Sequence, residues 1–293
     1  RVHNYAEWLP EWIEYHAELG VSQFFIVDDC SNDKGATKTI LEFYQNTVGL
    51  VTFIPSVPGN NCGPTRKPNE KMLIQHATNQ AKQAGCEWIG VLDADEFVTF
   101  VHEDWQKVDS LLPILQHYPL PVLKMTWWIV GSNSREQKEK GLQIENFNFG
   151  TFEGHNAKTL ARAEIFSEWT HSEYPTVSYD CLIEMAEETY PEKNQLVTLK
   201  KPDGRSTIVT QSPIMIKHFV FRSWEEYQRG RGSLKLTSNN EPNIWGNNRE
   251  AWLRGKYLNT FDPSAEFTVR MAAKVKARFA KRTLPDYPNK IEL

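Results

Sequence analysis

The first hundred residues alternate between strand-like and helix-like patterns, and this alternation restricts the fold more than any other feature of the chain. An amphipathic helix over 6–19 comes first. The alternating segments that follow are a strand at 23–27, a helix at 36–45, a strand at 50–54, a helix at 69–84 and a strand at 88–92. This β-α-β-α-β order is typical of an α/β domain with a parallel sheet and helices on its faces.

Acidic side chains follow two of these strands. Asp28 and Asp29 come after the first strand, and Asp93 and Asp95 come after the third. The carboxyl ends of parallel strands form the edge at which ligands bind. In an extended segment Asp93 and Asp95 point to the same side and repel one another unless a cation or a proton lies between them. The pattern therefore predicts a divalent-cation site; the alternative is a solvated acidic turn.

After residue 100 the alternation ends. The segments predicted as strands are 121–128, 156–166, 176–185 and 214–221. Ser223 and Glu226 match a capping box, and Asp262 and Pro263 predict the start of a last helix that runs to about residue 282. This last helix is basic, which predicts a solvated face; a membrane-surface or partner role is the alternative.

Composition excludes some classes. A net charge of -4 argues against a nucleic-acid protein. Four widely spaced cysteines suggest neither zinc nor a disulfide scaffold, and no apolar run is long enough to span a membrane. No N-x-S/T acceptor occurs, which disfavours a glycosylated lumenal protein. Because a helix begins almost at once after Arg1, we expect that the chain is cut from a longer protein.

Several motifs resemble one family. The turn over 27–33 is similar to the V-D-D-G-S-x-D turn of inverting nucleotide-sugar transferases with the GT-A fold, with Cys30 in place of the glycine. The segment 93–97 is similar to their D-x-D-E-F site. The opening segment 4–21 resembles the N-E-x-x-x-L-x-E-W-x-x-Y-H-x-x-L-G-V helix of glycosyltransferase family 92 and related family-2-like proteins. Later segments that resemble the family are 128–132, 158–162 and 218–227.

The resemblance implies a GT-A-type fold, with a Rossmann-like, mainly parallel sheet flanked by helices and a smaller mixed sheet on the acceptor side. The family's first strand lies before the opening helix, so we expect it to be missing here. Residues 1–100 would form the nucleotide-sugar-binding half, 101–261 the acceptor-side half of the same domain, and 262–293 a basic C-terminal helix and tail.

Site residues follow from the same resemblance. Those expected to contact the nucleotide sugar are Asp28, Asp29, Asp33, Arg66, Asp93 and Lys158. Those expected to hold Mn²⁺ or Mg²⁺ are Asp93, Asp95 and His218, with Asp95 as the direct ligand, Glu96 bracing the turn, and His155 or His171 as weaker candidates for the histidine.

Inversion at the anomeric carbon needs a carboxylate base to deprotonate the acceptor hydroxyl. Glu153, Glu173 and Asp180 all lie on the acceptor side, and their spacing does not choose among them. We favour Glu153 because flanking glycines allow close approach of a substrate.

The function implied is metal-dependent transfer of a hexose, with inversion, from a UDP-linked donor to a glycan hydroxyl, without a nucleic-acid partner. A membrane association would require a missing N-terminal anchor, with the Golgi lumen as location in a eukaryote and the cytoplasm otherwise. The alternatives are an inactive transferase-like sugar or protein binding domain and a haloacid-dehalogenase-type phosphatase.

Overall fold

The computed structural model describes residues 1–55, 70–100, 109–117, 122–164, 166–171, 174–177, 196–200, 206–210, 214–231, 249–256, 258, 260–288 and 290–291. The helices are α1 (Leu9–Glu18), α2 (Ala36–Phe43), α3 (Glu70–Gln83), α4 (Leu112–His117), α5 (Gln143–Asn146), α6 (Trp224–Arg231), α7 (Arg249–Lys256) and α8 (Ala265–Phe279). The strands are β1 (Phe24–Val27), β2 (Val51–Ile54), β3 (Trp88–Gly90), β4 (Glu96–Phe100), β5 (Val122–Val130), β6 (Phe149–Arg162), β7 (Phe166–His171), β8 (Tyr174–Val177), β9 (Leu196–Lys200), β10 (Ser206–Thr210), β11 (Ile214–His218) and β12 (Thr260–Phe261).

The first β-α-β unit forms as predicted. β1 and β2 pair in parallel, with Phe24 opposite Val51, and α2 lies between them in the sequence. Beyond α2 the chain makes one π-helical turn, Tyr44–Val48, before it enters β2. On the other edge of β1, Val2 forms a parallel bridge with Asp28. The start of the chain is thereby fixed beside β1.

The third predicted strand joins a different sheet. β3 pairs antiparallel with β6, within a sheet of order β12-β6-β5-β11-β4. Among the described strands, parallel pairing is limited to β1 with β2 and β11 with β5, apart from the Val2 bridge. The fold is therefore mixed α/β, and the predicted mainly parallel sheet is not confirmed. Local periodicity identifies β3 as a strand, but its partner lies some 70 residues away, in residues 149–162.

Two β-hairpins complete the strands that the structure describes. β7 pairs with β8, and β9 pairs with β10, both antiparallel. The predicted strand over 176–185 corresponds in part to β8, and the rest of it lies outside the described residues. The predicted strand over 156–166 begins earlier than expected, because β6 starts at Phe149.

The basic last helix lies against the opening helix. α8 buries Phe267, Met271 and Val275 in the same hydrophobic cluster as Leu9 and Ile13 of α1. Its cationic side chains, and that of Arg282 just after its end, are paired within the molecule. The ion pairs are Arg270 and Lys274 with Asp109, Lys276 with Glu145, and Arg278 and Arg282 with Glu14. The basic face is therefore a docking face for acidic side chains of the same chain.

Two predicted helix starts can be compared with the structure. Ser223 Oγ accepts the N–H of Glu226, and the Glu226 carboxylate accepts the N–H of Ser223, so the capping box is present. α8 begins at Ala265 rather than at Pro263, and the Asp262 carboxylate accepts the N–H of Ser264 at the entrance. No helix within the described ranges is long and apolar enough to cross a membrane.

Candidate active site

The acidic turn lies between β3 and β4 and is fixed by its own side chains. Glu96 is fully buried, and its Oε2 accepts the N–H of Asp93 at 2.8 Å. The backbone oxygen of Glu96 accepts the indole N–H of Trp12 from α1 at 2.8 Å. Glu96 therefore holds the backbone of Asp93 in the turn.

Lys158 supplies the positive charge of the turn. Its Nζ lies 2.9 Å from Asp93 Oδ2 and 3.4 Å from Glu96 Oε2, while its side chain is almost fully buried. Burial alone would raise the pKa of Asp93, but the Lys158 ammonium outweighs it and holds this pKa below its ordinary value. Burial likewise raises the pKa of Glu96 well above its ordinary range, against the opposing charge of Lys158.

Asp95 faces His218 of β11. His218 pairs with Glu96 in the antiparallel register of β11 and β4, and its Nε2 lies 3.6 Å from Asp95 Oδ1. The Asp95 backbone oxygen accepts the N–H of Phe219 at 2.8 Å, which holds the two segments together. Both side chains are largely buried.

Trp127 of β5 forms one wall beside this pair. Its ring meets the His218 imidazole edge-on, with the centroids 4.4 Å apart, and Lys158 Nζ lies 6.0 Å from the Trp127 centroid. Among the residues that the structure describes, three buried polar atoms here have no hydrogen-bond partner: Glu96 Oε1, His218 Nδ1 and Trp127 Nε1. Such atoms are costly to bury unless a ligand or water satisfies them.

The predicted metal ligands fit a divalent cation in part. Asp95 and His218 offer a carboxylate oxygen and an imidazole nitrogen, which suit Mn²⁺. Asp93 is close enough for its charge to interact with both, but its carboxylate is bound to Lys158. In the described ranges no three His, Cys, Asp or Glu side chains are arranged to hold a metal. Asp95 and His218 are thus the two that fit.

The predicted nucleotide turn lies at the end of β1. Asp28 Oδ1 accepts the N–H of Ser31 at 2.9 Å, and Asp33 Oδ2 accepts the N–H of Thr37 in the first turn of α2. Cys30 is disulfide-bonded and has a φ of 60°, in the left-handed region that the glycine of the motif adopts without strain.

Asp29 lies in the same turn and is buried. Its Oδ2 lies 3.6 Å from Arg1 Nε, and its backbone oxygen hydrogen-bonds with His3 Nδ1. The backbone nitrogen of Arg1 lies close enough to both Asp93 and Asp29 to interact with their charges. The two acidic clusters predicted at strand ends therefore converge on one region.

Several of the other predicted site residues lie outside the residues that the structure describes. Glu153 lies in β6 opposite Trp127, and Ala157 is opposite Thr126, so the three residues between them, His155 included, bulge out of the strand. Bulges of this kind re-aim side chains and are frequent beside active sites. Arg66, Glu173 and Asp180 lie outside the described residues, and His171 ends β7, away from any pairing with β11 or β4.

Two residues near the site were not identified from the sequence. Trp127 is one. The pairing of β5 with β11 brings its ring to His218, and a tryptophan within an apolar strand sequence does not by itself predict such a contact. Arg222 is the other. It is buried, its backbone has a φ of 22°, and its guanidinium lies 4.4 Å from the Trp8 ring centroid. Burial acts to lower the pKa of Arg222, but nearby groups that include Asp95 outweigh burial and raise this pKa.

Comparison with known proteins gives one family. The family model described as glycosyltransferase family 92 matches residues 2–238. This range contains both acidic clusters, Lys158 and His218, and it agrees with the resemblance seen in the motifs.

Similar proteins occur in plants. A glycosyltransferase family 92 protein of Oryza sativa subsp. japonica is 31% identical over 97 residues, which are 33% of this chain and 15% of that protein. A family 92 protein of Arabidopsis thaliana is 33% identical over 97 residues, with the same coverage, and one of Ricinus communis is 32% identical over 95 residues, 32% of this chain and 14% of that protein. The matched part therefore spans about a seventh of the length of these relatives.

Proposed function

The chain belongs to glycosyltransferase family 92, and from this membership we propose that it transfers a hexose from a nucleotide-diphosphate sugar to a glycan hydroxyl. The observation that carries the proposal is the convergence of Asp93, Asp95, Lys158 and His218 in one site between β3, β4, β6 and β11, in which all but Asp93 are largely buried. A UDP-linked donor, a GT-A-type arrangement and inversion are the finer parts of the proposal, and they come from the resemblance of the motifs.

Asp95 and His218 are the proposed protein ligands of Mn²⁺ or Mg²⁺. Such ions commonly take one or two protein carboxylates and complete their shell with water and substrate phosphates, so a two-residue site is sufficient. When bound, the cation would act as a Lewis acid on the diphosphate leaving group. The proximity of Asp95 and His218 supports this assignment, as do the unsatisfied polar atoms beside them.

Asp93 and Lys158 are proposed to prepare the donor site. The ion pair holds the Asp93 carboxylate ionised, while roughly half of its side-chain surface stays exposed, at 53%. An ionised and accessible carboxylate accepts hydrogen bonds from ribose hydroxyls. Asp28 and Asp29, at the neighbouring strand end, are the proposed contacts of the base or ribose.

Glu153 remains the proposed general base. Glu153 lies in β6 at the edge of the bulge, opposite Trp127 of β5. β5 pairs on its other side with β11, the strand that ends in His218, so a single strand separates Glu153 from β11. A base must lie within hydrogen-bond reach of the acceptor hydroxyl. Glu173 and Asp180 stay alternatives to it.

The disulfide at Cys30 supports an oxidising compartment. Stable disulfides persist in secretory and extracellular environments and are rare in the cytosol. We therefore favour the lumen of the secretory pathway over the cytoplasm as the place of action.

The test is a panel of nucleotide sugars, assayed with Mn²⁺ by thermal shift and by release of free nucleotide with glycan acceptors. Asp95→Ala is the site variant and Asp286→Ala, whose side chain is fully exposed, is the matched control. We expect one donor to stabilise the protein and to be consumed, with both effects lost in Asp95→Ala alone. Binding without turnover would favour the inactive binding domain, and absence of both would overturn the proposal.

The phosphatase alternative loses its support. It requires Asp93 as a nucleophile, whereas the chain belongs to a transferase family.

A further inference from the structure

Arg222 is a buried cation that lacks an ion pair. Only 5% of its surface is exposed. Every other arginine whose side chain the structure describes forms an ion pair with a carboxylate, whereas Arg222 forms none with a described residue. A buried charge is costly to maintain unless an opposite charge is bound to it. The position of Arg222 therefore suits an anion that the described residues do not supply.

Neutral groups hold the guanidinium of Arg222 in place. Its Nε donates to Gln143 Oε1 at 3.1 Å, and its Nη2 donates to Tyr5 Oη at 3.3 Å. The guanidinium carbon lies 4.4 Å from the Trp8 ring centroid and 5.6 Å from that of Tyr5. These contacts orient the guanidinium without neutralising its charge. Nη1 has no hydrogen-bond partner within the described ranges, so it is available to an anion.

The backbone at Arg222 is held in an uncommon conformation. Its φ of 22° is positive, as is rarely the case for residues other than glycine. The indole N–H of Trp252 donates to the backbone oxygens of Phe221 and Arg222, at 2.9 and 3.1 Å, and so fixes this part of the chain. Strained backbone of this kind is concentrated at functional sites, where the surrounding structure maintains it.

Arg222 lies between the predicted nucleotide turn and the proposed metal ligands. On one side, its partner Tyr5 donates the backbone N–H to Thr37 Oγ1 in α2, the helix that follows the turn. On the other side, Arg222 comes four residues after His218 and is close enough to Asp95 for their charges to interact. A donor with its nucleoside at the turn and its sugar at the acidic site would have its diphosphate between these two places.

We propose that Arg222 binds the diphosphate of the nucleotide-sugar donor. The inference rests on the proposed function and assigns a binding residue that the function does not yet include. The planar guanidinium presents N–H groups that match phosphate oxygens and hold them by charge-assisted hydrogen bonds. When the bond from the anomeric carbon to the diphosphate oxygen breaks, its electron pair stays on that oxygen. The charge of Arg222 then stabilises the leaving diphosphate.

The experiment measures binding by titration calorimetry with Mn²⁺ present, using UDP and GDP together with UMP, GMP, uridine and guanosine. Arg222→Gln removes the cation, and Arg222→Lys keeps the charge without the planar fork. Arg249→Gln is the control, because Arg249 also lies over two aromatic rings but is ion-paired with Glu136. We expect Arg222→Gln to weaken diphosphate binding by about 10- to 100-fold without weakening nucleoside binding. Arg222→Lys should lose less, and the control should lose nothing.

Each outcome decides the inference. Equal diphosphate affinity in the wild type and Arg222→Gln would overturn it while donor binding itself stands. An equal loss for diphosphate and nucleoside would also overturn it, because Arg222 would then only support Tyr5 and the turn. Absence of nucleotide binding in the wild type would overturn the proposed function and the inference together. If Tm shows that Arg222→Gln is unfolded, Arg222→Lys decides, and unchanged diphosphate affinity in that variant overturns the inference.

Discussion

Asp95 and His218 meet across the β4–β11 pair, with Asp95 Oδ1 3.6 Å from His218 Nε2. The first residue ends a turn near the start of the chain, and the second ends a strand far along it. Asp95→Asn replaces one proposed metal ligand by a neutral amide of the same size, and His218→Gln replaces the imidazole of the other by a neutral amide. We expect Mn²⁺-dependent transfer to fall about 100-fold or more in each, with little change in Tm.

Asp286→Asn is the control for this pair of variants, since that carboxylate is exposed. Titration calorimetry with Mn²⁺ and nucleotide is the measurement. Unchanged Mn²⁺ affinity in both site variants would refute the metal assignment.

Lys158→Met removes the cation that Asp93 and Glu96 share. Because Lys158 and Glu96 are both buried, loss of the cation leaves a buried carboxyl without its counter-charge, and we expect the free energy of unfolding to drop by about 3 kcal/mol. Lys38→Met, which breaks an exposed pair with Glu42, should cost less than about 0.5 kcal/mol. Urea unfolding compares the two; similar losses would mean that the Lys158 pair adds nothing to stability.

Glu11 predicts a pH dependence of stability. Burial raises its pKa to about 7, although it accepts the N–H groups of Gln143 and Ile144. A carboxyl whose pKa is higher in the folded state than in the unfolded state, where it is about 4.5, stabilises the fold fully at low pH. That contribution is lost as the pH rises from about 4.5 to about 7.

Glu11→Gln should therefore show a smaller loss of stability than the wild type between pH 5 and pH 8. Chemical unfolding at several pH values measures the difference. A difference between the two proteins that stays constant over this range would contradict the pKa of Glu11.

Glu14 of α1 binds two arginines, one in α8 and one just after it. It is fully buried and pairs with both Arg278 and Arg282. We expect Glu14→Gln to lower the free energy of unfolding by about 2–3 kcal/mol, because two partly buried arginines lose the charge of a fully buried partner. Glu266→Gln on α8, at an exposed position, is the control. Hydrogen exchange along α8 should quicken in the first variant only; equal exchange in both would show that apolar packing alone holds the helix.

Local patterns in the sequence predict the acidic clusters and many of the individual strands, but not which strands pair. Asp29, Asp93 and Lys158 are predicted from motifs whose spacing is local, and the structure brings them to one region. The pairing of β3 with β6 was not predicted, because hydrogen-bond partners far apart in sequence leave no trace in local periodicity. The same reason hid Trp127. The Lys158 ion pair was likewise invisible, since a lone lysine in a strand gives no sign of its counter-charge.

The α1–α8 contact also bears on where this protein can be divided. The family model ends at residue 238, but Phe267, Met271, Val275 and Phe279 of α8 lie in the main core beside Leu9 and Ile13. A protein shortened to the matched residues would expose the apolar surface of α1 that α8 covers, and Glu14 would lose its ion pairs with Arg278 and Arg282. The residues that match the family model therefore do not include all of the core, because the opening helix α1 packs against α8, which lies after the matched range.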